Sequence, residues 1–75
     1  MQKATRFSRI SFGRAIRATR ESLGLSQEEF AERANVHRTY ISSVELGKVS
    51  VGIEVANALA RALALRLSEI VRRAE

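Results

Sequence analysis

Gln27-Glu28-Glu29-Phe30-Ala31-Glu32-Arg33-Ala34-Asn35-Val36-His37-Arg38-Thr39-Tyr40-Ile41-Ser42-Ser43-Val44-Glu45-Leu46 decides the architecture of this chain. It reads as two short helices joined by a tight turn. Ser26 precedes the first segment and Glu29 follows three residues later. That is the capping-box spacing, in which the serine oxygen accepts from the N3 amide and the glutamate accepts from the serine amide. Leu25 and Phe30 have the offset of a hydrophobic staple, and Glu28 and Glu29 lie in the first turn, where the helix dipole favours anions. The helix is therefore predicted to start at Ser26 and to end at Ala34 or Asn35. Asparagine tolerates the left-handed backbone best among non-glycine residues, so Asn35-Val36 can end one helix and turn into the next. In the segment His37 to Leu46, Ile41 and Val44 share one side with Tyr40 flanking them, and Arg38, Thr39, Ser42 and Ser43 occupy other faces. Gly47 supplies the stop.

The helical pattern extends in both directions. Upstream, Phe12, Ile16, Thr19 and Leu23 recur at helical spacing, with Ser11 as the expected N-cap and Gly24 as the stop. Arg14, Arg17 and Glu21 take the outer positions, whereas Arg20 stands one turn from Ile16 and Leu23 and borders the apolar stripe. Downstream, Lys48-Val49 reads as a loop and Ser50 as the cap of a fourth helix through Ile53, Ala56, Leu59, Ala60 and Leu63. Its polar face holds only Glu54, Asn57 and Arg61, so it must be covered on most sides. Ser68 opens a short fifth helix that turns Leu67, Ile70 and Val71 inward, with Arg72 and Arg73 in its last turn. No β-alternation competes with these patterns, and there is no repeat, linker or low-complexity tract. The expected architecture is all-α, five helices in one domain over residues 11–75, preceded by a basic, flexible arm over residues 1–10.

Composition narrows the function. The chain has 75 residues and no Cys, Pro or Trp. A domain of this size hides only about 60% of the surface its unfolded form exposes, so it depends on economical helix packing, a partner subunit, or both. The missing cysteines exclude disulfides and Cys-based zinc fingers, and the single histidine excludes two-histidine metal sites. No metal or cofactor is expected. Uncharged runs reach only six residues, as in Val55–Ala60, far short of the ~20 a membrane span requires. Met1–Arg9 leads into no apolar h-region, so no secretory signal is read and a bacterial cytoplasmic location is expected. Charge is segregated: residues 1–20 carry +6, residues 21–47 carry −3 and residues 48–75 carry +2. A basic front and an acidic middle fit a polyanion partner, and a solvated helix face with a loose tail fits equally.

The segment 27–46 resembles a helix-turn-helix, with Ala31 at the fifth position, where the helices approach, Asn35 at the ninth, and Ile41 and Val44 at the core-facing fifteenth and eighteenth. Leu25-Ser26-Gln27-Glu28-Glu29-Phe30-Ala31, Arg38-Thr39-Tyr40-Ile41-Ser42 and Glu45-Leu46-Gly47 together resemble the phage repressor (Cro/cI-type) DNA-binding domain. The likeness covers residues 11–71 and implies a lambda-repressor-like fold. Chain size and the run Arg38–Ser42 are most similar to the controller proteins of restriction–modification systems. Those are small dimeric regulators that bind operators upstream of their own and the endonuclease genes.

The resemblance implies that His37, Arg38, Thr39, Ser42 and Ser43 face the major groove of double-stranded DNA. Their chemistry fits: Arg38 can donate two parallel bonds to guanine O6 and N7, and Thr39 offers a hydroxyl and a methyl, each good bidentate pair discriminating by about 1–3 kcal/mol. Gln27 corresponds to a phosphate contact at the start of the second helix, with capping as its competing role, although Ser26 already caps. Lys48, Ser50, Tyr40 and Arg17 are further phosphate candidates. For Lys48 and Ser50 the plain alternative is a solvated loop, and for Tyr40 it is packing against neighbouring helices. Arg20 and Glu45 match a structural salt bridge between the first helix and the end of the recognition helix. His37 departs from the serine frequent at its position, which leaves that helix without its expected cap. Lys3, Arg6 and Arg9 could follow a groove edge, with a disordered tail as the alternative.

One recognition helix spans too few base pairs to select an operator, so a homodimer placing two of them about 34 Å apart is expected. Leu65, Leu67, Ile70 and Val71 are the candidate subunit contact, with completion of the monomer core as the alternative. A rival function is an antitoxin-type module that masks a protein partner and binds DNA only secondarily. An acidic or disordered extension would favour that module, and the chain has none. Catalysis is the reading with least support: there is no Cys/His pair, glycine-rich phosphate loop or metal-ligand cluster, and no base stands near the serines.

Overall fold

The computed structural model describes residues 8–75 of the chain as five helices, α1 (Arg9–Ser22), α2 (Gln27–Ala34), α3 (Arg38–Glu45), α4 (Ile53–Ala62) and α5 (Leu67–Ala74), with no strand among the described residues. Lys3 and Arg6 of the expected arm lie outside the described residues. Arg9 and Ile10 belong to α1 and not to an arm, because α1 starts one turn earlier than its apolar stripe suggests. Its cap is Ser8, not Ser11: the Ser11 amide donates to Ser8 Oγ (3.2 Å) and the Ser8 amide donates to Ser11 Oγ (2.7 Å). The two serines thus form a reciprocal box in which Ser11 takes the place usually held by glutamate. At α2 the expected box forms, with the Glu29 amide donating to Ser26 Oγ (3.0 Å) and the Ser26 amide to Glu29 Oε1 (2.9 Å).

Four helices end by one device. After α1, α2, α3 and α4 the chain passes through a left-handed residue, respectively Gly24, Asn35, Gly47 and Ala64. In each case the next amide reaches back to a carbonyl in the last turn: Leu25 to Arg20, Val36 to Ala31, Lys48 to Ser43 and Leu65 to Ala60, at 2.9–3.1 Å. These are Schellman closures, which satisfy carbonyls that a helix end leaves orphaned.

Two further starts differ from the sequence reading. α4 is capped by Gly52 rather than Ser50. The stretch before it alternates, with Val49 and Val51 half-buried against the core and Lys48, Ser50 and Gly52 exposed. Helix onset is delayed because those two valines cover the core first. α5 follows Arg66 rather than Ser68, and the Arg66 amide donates to Glu69 Oε1 (2.8 Å). Two apolar positions also fall outside the core. Leu23, at the C-cap of α1, is exposed while Leu25 is buried in its place, and Ile53 is 76% exposed.

α1 packs on α3 and α5, α2 on α3 and α4, and α4 on α5. Phe12, Ile16, Phe30, Ile41, Val44, Leu59, Leu63 and Ile70 fill the space between them. Ile70 is 0% exposed, so it completes the monomer core and leaves the set of candidate subunit contacts. Leu65, Leu67 and Val71 are half-buried. α1 and α3 meet backbone to backbone at Gly13, where a methyl group would collide with the Val44 carbonyl oxygen.

Candidate nucleic-acid interface

α3 is rooted by Ile41 and Val44, both buried, which turns its other side outward. His37, Arg38 and Thr39 are exposed, and Ser42 and Ser43 are half-buried. Leu46, 58% exposed, continues the stripe that Thr39, Ser42 and Ser43 begin at helical spacing. Tyr40 is half-buried with its ring against the core, the packing alternative for that residue. His37 is the N-cap of α3 and makes no side-chain capping bond, as its departure from serine implies.

Behind this face lies a buried ionic cluster. Arg20 donates from Nε to Glu45 Oε2 (2.7 Å) and from Nη2 to Glu45 Oε1 (3.0 Å), and its Nη1 donates to the Leu25 carbonyl (2.7 Å). The two side chains are 10% and 3% exposed. Hydrogen bonding to Glu45 raises the Arg20 pKa above its ordinary value, against the opposing effect of burial. The guanidinium grips the Glu45 carboxyl through two bonds at once, fixing the end of α3 on α1.

Gln27 joins this cluster to the outer face. Its Nε2 donates to Glu45 Oε1 (3.0 Å), and its Oε1 accepts from Arg38 Nη1 (3.4 Å). Because Glu45 can only accept, the amide orientation is set and the carbonyl oxygen is turned to Arg38. Arg17 and Glu21 form an exposed i,i+4 ion pair (3.1 Å). Arg17 lies one turn from Gly13 and Arg20, both of which meet the end of α3. Lys48 and Ser50 are exposed on the extended segment after α3.

Gln27 and Arg38 thus meet at the start of α3, and Lys48 follows its end. Two structural contacts behind this face were not read from the sequence, the close approach at Gly13 and the bond that Arg9, read only as an arm cation, makes to Gly47. Gly13 was detectable as a glycine inside a helical pattern, which costs about 1 kcal/mol and calls for a reason. Arg9, whose Nε donates to the Gly47 carbonyl (2.9 Å), left no local signal because its partner is distant in sequence. Among the described residues no helix is long and apolar enough to cross a membrane, and no group of three or more His, Cys, Asp or Glu could hold a metal ion.

A short helix rooted on one side, polar on the other and locked at its end behind a tight turn defines a helix-turn-helix DNA-binding regulator. The Helix-turn-helix family model matches residues 16–70, and the chain belongs to that Cro/cI-type family. It is 38% identical over 63 residues to the control protein C.MunI of a Mycoplasma species, a match covering 83% of this chain and 85% of that protein. It is 32% identical over 62 residues to the immunity repressor protein of Bacillus phage phi105, covering 83% of this chain and 43% of the repressor, so it spans less than half of that relative. The fold is similar to the restriction-modification controller protein C.AhdI from Aeromonas hydrophila, with a TM-score of 0.80 and 34% identity over 83% of this chain and 94% of that one.

Proposed function

We propose that the chain is a cytoplasmic homodimer that binds a palindromic operator in double-stranded DNA and controls a restriction–modification operon. In this reading α3 enters the major groove. Arg38 reads guanine, Thr39, Ser42, Ser43 and His37 make the remaining base contacts, and Gln27, Arg17, Lys48, Ser50 and the Tyr40 hydroxyl hold phosphates. Arg20 and Glu45 set the angle of α3. Leu65, Leu67 and Val71 are the proposed subunit contact.

The observation that carries this reading is the Arg38–Gln27–Glu45–Arg20 chain of hydrogen bonds, which ties an exposed guanidinium at the start of α3 to the buried frame. A preorganised fork loses less side-chain freedom on meeting a base edge than a free one. Similarity to C.MunI and C.AhdI supports the operon assignment. Selection of bound sequences from a random duplex pool tests it. A two-fold palindrome with guanine at the position that Arg38→Ala relaxes is expected, and an unchanged base preference in folded Arg38→Ala would refute the assignment.

A further inference from the structure

Leu46 differs in kind from its neighbours on the outward stripe of α3. Thr39, Ser42 and Ser43 carry hydroxyls, whereas Leu46 is bare hydrocarbon, 58% exposed, at the C-cap. Scattered exposed leucines are ordinary on protein surfaces. Two observations set this one apart. The last turn of α3 holds no basic residue, although the helix dipole favours a cation there. Ile41 and Val44 already root the helix in the core, so neither capping nor packing accounts for a leucine at this position.

Its backbone is held from behind. The Leu46 amide donates to the Ser42 carbonyl and the Gly47 amide to the Val44 carbonyl, both at 3.0 Å. Arg9 Nε donates to the Gly47 carbonyl (2.9 Å), and a Cβ on Gly47 would come within 2.8 Å of Ile10 Cγ1, so the start of α1 backs the peptide that follows Leu46. Leu46 stands two turns beyond Thr39 on the same side of the helix. That separation is about 10 Å along the axis, less than the ~12 Å width of the major groove. A groove that admits Thr39 therefore has room for Leu46. A leucine that leaves water there needs an apolar partner, and the base edges offer donors, acceptors and one hydrocarbon group, the C5 methyl of thymine.

We propose that Leu46 is a specificity-determining residue that reads the C5 methyl of one thymine in each half-site. The proposal rests on the DNA-binding reading above and adds an apolar contact to its polar ones.

The test uses the duplex that the native chain selects from a random pool. Replacing thymine by deoxyuridine removes the methyl and leaves every hydrogen-bonding edge in place. At one thymine position per half-site the native chain is expected to lose about fourfold in affinity, the effect of withdrawing one methyl from an apolar contact. Leu46→Ala is expected to lose nothing further there, while deoxyuridine at the other thymines acts on both proteins alike. Leu46→Met keeps an apolar chain and should keep the response, and Leu46→Asn should abolish it. Because the side chain is exposed, all three variants are expected to melt close to the native chain. If deoxyuridine at every position costs the native chain and Leu46→Ala equally, or if the selected half-site contains no thymine, the assignment is overturned and the DNA-binding reading stands. If the native chain enriches no sequence and retains no duplex, that reading falls and the assignment with it.

Discussion

Glu45 is the residue on which the molecule is most exposed to single changes. Its carboxylate accepts from Arg20 twice and from Gln27 once while almost wholly enclosed. Glu45→Ala leaves a buried guanidinium without its counter-ion, a loss of about 3–5 kcal/mol that lowers Tm by more than roughly 10 °C. Affinity per folded molecule is expected to change less, a contrast that calorimetry and titration of the refolded fraction would resolve. Glu29 works in the opposite setting, at the surface. The hydrogen bond from the Ser26 amide, then that of the Ser26 side chain and then the Arg33 charge, hold its carboxyl below the ordinary carboxylate value. A lowered folded pKa means that the ionised form is preferred in the native state, so this contribution is present above the unfolded value near ~4.3 and fades as pH falls through the folded one. The Tm advantage of the native chain over Glu29→Gln should therefore shrink on acidification below about pH 4. Both residues were legible in sequence, Glu29 by its offset from Ser26 and Glu45 by family position. The role of Gln27 as the link between Glu45 and Arg38 was not, because it depends on α2 and α3 crossing at that point.

Elements show more clearly where a one-dimensional reading stops. Endings were visible, since Gly24, Asn35 and Gly47 each punctuate a periodic run and each adopts the left-handed backbone. Starts were less so. Ser11, Ser50 and Ser68 all looked like caps, and all yielded to positions set by packing or by a second side chain: Ser8 paired with Ser11, Gly52 after the inward valines, and Arg66 served by Glu69. The ending with no signal at all is Ala64, an alanine at φ 61°. That conformation costs an L-residue about 1–2 kcal/mol, part of which glycine returns as unfolded-state freedom. Ala64→Gly is expected to stabilise the chain by about 0.5–1 kcal/mol, raising Tm by a few degrees in a thermal melt. Gly13→Ala is expected to act oppositely. The added methyl meets the Val44 carbonyl, and forcing α1 and α3 apart costs about 1–3 kcal/mol. Because Val44 lies on α3, that variant should also lose duplex affinity beyond its loss of stability, whereas Ala64→Gly should not.

On the scale of the whole molecule, what the monomer core leaves over bears on assembly. Ile70 is consumed internally, while Leu65, Leu67 and Val71 keep part of their surface on the α4–α5 side. Val71→Glu changes a partly exposed position and should leave the monomer fold intact. It is expected to shift sedimentation to the monomer and to weaken operator binding by on the order of 10²-fold, the advantage normally gained by tethering two sites. Unaltered sedimentation would point the search for the subunit contact elsewhere. Within the chain itself, three ties converge on one end of α3: Arg20 to Glu45, Arg9 to the Gly47 carbonyl, and Gly13 beneath Val44. The opposite end has an N-cap without a side-chain bond and a 3.4 Å contact to Gln27. The reading helix is in effect a beam bolted at the rear and steadied in front by the turn from α2. A target that departs from its shape has therefore to be met by rotamers of the outward side chains or by bending of the duplex, while the body of the protein holds still.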